Sequence, residues 1–262
     1  MEHLIGWAVN DVSHAGALLA AHPTALGGPR QVERGVFGVG FHQFGEILVK
    51  KRPVSGEVRP EGEVAGLNVP HAVAFATDAP PGPMGLGHCQ PLRYQSWLFA
   101  MAGADGLDRS LIDRIAARLT DFIGVGRLMS TVAEAVMMLY MRALLAAGAL
   151  VRRGLSTHGI HRALGAATGA LVDLVGGRAG LDAALMLHSD GHLFALSLGR
   201  PLRLRAFEGL PSPGGRPTSD ARHLRAVSLT LDPPERTDRV IGAFEGVEVD
   251  AACAVRDLET DA

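Results

Sequence analysis

Ala183-Ala-Leu-Met-Leu-His-Ser-Asp-Gly-His-Leu-Phe-Ala-Leu-Ser197 holds two apolar runs parted by Ser189-Asp190-Gly191. Asp-Gly between apolar runs suits a tight hairpin turn, because both central residues must take positive φ and these two do so at little cost. The stretch therefore predicts paired strands at Ala183 to His188 and His192 to Ser197. Leu202 to Phe207 reads as the next strand, and Gly209 to Ser219 as a Pro/Gly/Ser loop. Ala226 to Leu231 and Val247 to Ala251 read as closing strands before a frayed end.

Upstream of the hairpin the pattern turns helical. Leu111, Ile115, Leu119 and Phe122 fall at helical spacing after Asp108. Ser130 and Thr131 are candidate caps for a helix through Leu150, and Thr157 for one over Ile160 to Val175 that stops at Gly176-Gly177. The first hundred residues are strand-rich. Leu4 to Val9, Gly35 to Phe41, Ile47 to Lys51, Ala72 to Ala76 and Ser96 to Ala100 read as strands, the second and third joined near Gly45. His14 to Ala21 reads as a helix. Gly27 to Arg30, Val54 to Gly66 and Pro80-Pro81-Gly82-Pro83 read as loops. Strands at both ends with helices between them predict an α+β fold rather than a doubly wound sheet. No repeat or long linker divides the chain, so a single domain over residues 1–262 is expected.

Composition narrows the function classes. The 25 basic and 27 acidic residues nearly cancel, leaving a net charge of −2, so no nucleic-acid partner is expected. Lysine occurs only at Lys50 and Lys51, which with the alanine and glycine load reads as GC-rich bacterial coding rather than chemistry. Cys89 and Cys253 are expected to be reduced thiols in the cytoplasm. MEHLIGWAVN lacks the basic start of a signal peptide. Leu128 to Val151 is long and apolar, but Glu134 and Arg142 interrupt it, which predicts a core helix and no membrane span.

Generic chemical motifs are weak. His158 and His161 share a helical face but lack further ligands, so no metal is expected. His88-Cys89 sets a thiol beside an imidazole, yet adjacent side chains generally point apart. Gly35, Gly38 and Gly40 lie within a strand pattern and open no helix, so they do not form a dinucleotide cradle. There is no Walker A sequence and no G-x-S-x-G. No cofactor is expected.

An ordered set of segments says more. MEHLIGW, Gly35-Val-Phe-Gly-Val-Gly-Phe41 with Glu46 to Lys50, Ala72-Val-Ala-Phe-Ala-Thr-Asp78, His88-Cys-Gln-Pro91 with Ser96-Trp-Leu-Phe-Ala-Met-Ala-Gly103, Ser130-Thr-Val-Ala-Glu134 and Leu185 to His192 run in order. Together they resemble the class II glutamine amidotransferases, a family of N-terminal nucleophile hydrolases. The resemblance implies an αββα sandwich with a glutamine pocket at one end. In active members a cysteine exposed by removal of Met is the nucleophile, its own amino group the base, and an Asn with backbone N–H groups the oxyanion site.

This chain departs from that pattern where the chemistry lies. The resemblance puts Glu2 at the nucleophile, a residue large enough that Met1 is expected to stay. Thr77 stands at the carboxylate-clamping arginine and Phe75 at the histidine before it. Met101, Ala102 and Gly103 stand at His-Asn-Gly, and Val132 at the acid that receives the substrate ammonium. Residues that shape the fold remain: Gly38, Gly40, Pro91, Trp97, Gly103, Asp190 and Gly191. No catalytic residue is assigned, and Glu2, Phe75, Thr77, Asp78, Met101, Ala102, Gly103 and Val132 form a vestigial pocket. The expectation is a pseudoenzyme acting as a protein-interaction scaffold or regulatory subunit, with a protein partner or homo-oligomer. The alternatives are a sensor that binds a small molecule through Glu2 and Asp78, or a glutamine or γ-glutamyl amide hydrolase with a relocated nucleophile such as Cys89.

Overall fold

The computed structural model describes residues 1–16, 30–64, 66–79, 85–119, 129–150, 157–209, 223–231 and 238–258. Thirteen strands are found there: β1 (Glu2–Val9), β2 (Arg30–Gln43), β3 (Glu46–Val58), β4 (His71–Thr77), β5 (Leu92–Tyr94), β6 (Trp97–Ala102), β7 (Ala183–Ser189), β8 (His192–Leu198), β9 (Leu202–Glu208), β10 (Arg225–Thr230), β11 (Arg239–Ile241), β12 (Gly246–Val249) and β13 (Val255–Asp257). Four α-helical segments accompany them: α1 (Pro60–Val64), α2 (Leu111–Ala116), α3 (Val132–Ala146) and α4 (Thr157–Val175).

The strands form two antiparallel sheets, one ordered β11-β9-β10-β1-β4-β2-β3 and the other β13-β12-β8-β7-β6-β5. The fold class is α+β, as the segment order predicts. The Asp190-Gly191 turn is present with both residues at positive φ, and Phe44-Gly45 makes the same two-residue connection between β2 and β3.

Strand periodicity sorts side chains between the faces. Leu4, Ala8, Val73, Phe75, Ala102, Ala184, Met186, Leu193, Ala195 and Val227 come together in one buried cluster drawn from both sheets. The opposite face of β1 and β4, with Ile5, Trp7, Ala72 and Ala74, packs with Phe37, Val39, Ala15 and Val64. The outer face of the second sheet, with Phe99, Met101, Leu185 and Phe194, packs under α2, α3 and α4. α3 is buried nearly all round, from Ala133 to Leu144, because sheet and helices enclose it. No helix among the described residues is long and apolar enough to cross a membrane.

Close sheet contact explains Gly38. A Cβ there would collide with the Gln90 carbonyl oxygen and lie 2.8 Å from Pro91 Cδ.

Several expected boundaries are corrected. Val54 to Gly66 is not a loop: β3 runs through Val58 and α1 follows, since an edge strand tolerates Pro53 where a central one would not. α3 ends at Ala146 rather than Leu150. Ala226 to Leu231 does not close the sheet but lies within it, between β1 and β9. β5, β11 and β13 are not among the expected strands. Much of the helix expected to Ala21, the Pro80 to Pro83 breaker, Phe122, Leu128, Val151 and the loop from position 210 lie outside the described residues.

Candidate functional site

β1 and β4 run antiparallel with Glu2 opposite Thr77 and Leu4 opposite Phe75, which puts these four side chains on one face. At that end of the sheet a cavity of about 670 Å³ opens. Glu2, Phe75, Thr77 and Val132 all line it, joined by Val36, His88, Cys89, Gln90, Asp105, Leu107, Arg109, Ile112, Ser130 and Thr131.

Four other expected pocket residues, Asp78, Met101, Ala102 and Gly103, are not among the lining. Met101 is fully buried on the helix-facing side of β6, and Ala102 is fully buried between the sheets. Asp78 continues the ladder beyond Thr77, where its carboxylate lies 3.5 Å from the Met1 amino group and its amide donates to the Met1 carbonyl. Asp78 is not among the residues lining the cavity with Glu2, whereas Asp105 is.

Gly103 ends β6 at φ +88, and a Cβ there would collide with the Asp182 carbonyl oxygen. Its N–H donates to Glu2 Oε2 at 2.6 Å, tying the first strand of one sheet to the end of β6 in the other. Arg200 approaches the same oxygen at 3.6 Å, but its guanidinium is held by Asp182, with Nη2 at 3.0 Å and Nε at 3.4 Å. Burial pushes the Glu2 carboxyl above its ordinary range, and the Asp105 charge pushes the same way. The Gly103 bond, Arg200 and the chain's amino group oppose this without cancelling it.

The other wall is organised by Glu134. Thr131 caps α3 by accepting from the Glu134 N–H, and Glu134 Oε2 accepts from the Ser130 and Thr131 amides at 2.8 and 3.1 Å. That capping box is worth about 1 kcal/mol. Glu134 Oε1 also lies 2.5 Å from His88 Nδ1. The carboxylate accepts from a proton on Nδ1. Glu134 was legible as a capping partner from Thr-x-x-Glu, but its grip on His88, 46 residues away, left no sequence signal.

Gln90 fixes the end of β6, its amide donating to the Met101 carbonyl at 2.8 Å and accepting from the Met101 N–H at 2.5 Å. Nothing in sequence pointed to Gln90 or Arg200. The Cys89 thiol lies 3.7 Å from the Gly85 carbonyl. Burial pushes it up, away from the thiolate that nucleophilic attack requires, and Lys51 only partly offsets this.

His161 on α4 hydrogen-bonds buried Glu248 at 2.9 Å, and His192 meets the other oxygen of that carboxylate at 2.6 Å. Among the described residues no three His, Cys, Asp or Glu side chains are placed to hold a metal ion.

Compared with protein-family models and with curated proteins, the sequence matches none. In structure it is similar to a glutamine aminotransferase class-II domain protein from Silicibacter pomeroyi, with TM-score 0.54 and 15% sequence identity, over 86% of this chain and 99% of that one. At that identity the likeness speaks for the fold.

Proposed function

We propose that this chain is a non-catalytic protein of the class II glutamine amidotransferase type. In this reading it forms one αββα domain over residues 1–262 and acts in the cytoplasm as a protein-interaction scaffold or regulatory subunit. The observation that carries the proposal is the Glu2–Gly103 bond. A carboxylate stands where the resemblance puts a thiol, and it occupies the backbone donor at the glycine that the resemblance assigns to the oxyanion segment. A carboxylate there cannot form a thioester. Phe75, Thr77 and Val132 supply no guanidinium or acid with which to clamp glutamine.

The test is release of glutamate and ammonia from glutamine and a panel of γ-glutamyl amides by the wild type, beside Glu2→Cys and Cys89→Ala. No wild-type turnover is expected. Turnover would overturn the proposal, and its loss in Cys89→Ala would locate a nucleophile at Cys89. Light scattering with size-exclusion is expected to show an oligomer, or native extracts to yield a partner. A clean monomer with no partner recovered would remove the scaffold role.

The cavity favours a second reading, in which the protein senses a small metabolite. Its volume of about 670 Å³ suits a small molecule, and apolar walls with a few polar groups suit binding.

A further inference from the structure

We propose that the cavity takes an amphipathic primary amine, with its ammonium against Glu2 and its hydrocarbon body along Phe75, Leu107, Ile112 and Val132; this rests on the metabolite-binding reading.

The charge on Glu2 is only partly compensated. Its Oε2 atom serves both Gly103 and Arg200, while Oε1 makes no hydrogen bond among the described residues. Arg200 makes its shorter contacts with Asp182, so it neutralises Glu2 only in part. Asp105, exposed like Arg109 and so screened by water and salt, adds a second negative charge at the same end. A carboxylate held in this setting, with one oxygen unfilled, is stabilised by an incoming cation that brings its own donors. The upward push on the Glu2 carboxyl comes first from burial, with Asp105 adding to it.

On the opposite wall His88 lines the cavity, with its Nδ1 held by Glu134. Ser130, Thr131 and Thr77 hydroxyls are neutral. Arg109 also lines the cavity, but it is exposed at the rim, where water and salt screen it. A carboxylate ligand would meet Glu2 and Asp105 with Thr77 in place of a guanidinium. An alcohol of the same length would fill the walls equally well but leave Glu2 unpaired. The chemistry therefore selects the amine.

The experiment is titration calorimetry of the full chain with hexylammonium, 1-hexanol and hexanoate at one pH and ionic strength. Hexylammonium is expected to bind at least tenfold more tightly than the other two, and Glu2→Gln to reduce it to the level of hexanol. Equal binding of the alcohol or the carboxylate, or full affinity in Glu2→Gln, would overturn the amine assignment and leave the metabolite-binding reading standing. Absence of binding by all three would overturn both. The comparison among probes on the wild type stands if the variant does not fold, which a thermal melt would reveal.

Discussion

The carboxylate of Glu2 and the backbone amide of Gly103, 101 residues apart in sequence, meet at 2.6 Å where the two sheets end together. The bond holds the sheets in register, yet the charge that makes it is held against its solvation preference.

That conflict gives opposite outcomes for two substitutions. The folded carboxyl titrates above its ordinary value of 4.5, so between those two pH values the folded state binds more protons than the unfolded state. Stability then falls as pH rises through that window, and above it the ionised form carries the penalty. Glu2→Gln keeps an acceptor for Gly103 without the charge, and at pH 8 its unfolding free energy should equal or exceed that of the wild type. Glu2→Ala, which leaves the amide unpaired, should lose about 1–2 kcal/mol. Urea unfolding of both variants at pH 8 checks this, and a less stable Glu2→Gln would refute it.

Histidines between the sheets set the acid limit. His188 is fully buried with neither ring nitrogen bonded, and its ring lies 5.6 Å from that of His71 and 6.5 Å from that of His42. Burial, reinforced by the neighbouring imidazoles, pushes His188 well below 6.5, and burial pushes His71 down to about 4. The unfolded chain therefore takes up protons that the folded chain refuses. Stability should be full above about pH 6.5 and fall toward pH 4, at up to about 1.4 kcal/mol per pH unit for each such group. His188→Phe should flatten that fall without loss at pH 7.5, as read by urea midpoints at pH 4.5, 5.5, 6.5 and 7.5. An unchanged acid slope would refute the role.

Two glycines at positive φ should differ sharply. At Gly45, φ is +81 and an added Cβ meets nothing within 4 Å, so Gly45→Ala should cost only the backbone strain, about 1 kcal/mol. At Gly103, φ is +88 and the Cβ runs into the Asp182 backbone, so Gly103→Ala should cost about 3 kcal/mol or more. Chemical denaturation of the pair separates strain from collision, and equal losses would contradict the packing described at the end of β6.

What could be read from sequence was local or periodic. Asp190-Gly191 specifies its own turn, and Thr131 with Glu134 specifies its own cap, because each pair meets within one turn of chain. Alternation along β1 and β4 is enough to set Glu2 with Phe75 and Thr77. It also sends Asp78 to the other side, which the aligned segments alone did not convey. β11 and β13 are three residues each and exist because β9 and β12 offer them an edge. His88 meets Glu134, and Arg200 meets Glu2, only after separate elements have packed. Contacts of that kind leave no mark on the residues either side of them.

β1 is flanked by β4 and by β10, so Ile5 faces Ala74 on one side and Thr230 on the other. During synthesis at roughly 5–20 residues per second, this strand therefore waits roughly 10–45 s for its second neighbour to be made. Until then its open edge is a template for any extended segment nearby. Molecules that stall or are cleaved before residue 225 keep that edge permanently. The arrangement makes the newborn chain, rather than the finished one, the form most dependent on chaperones.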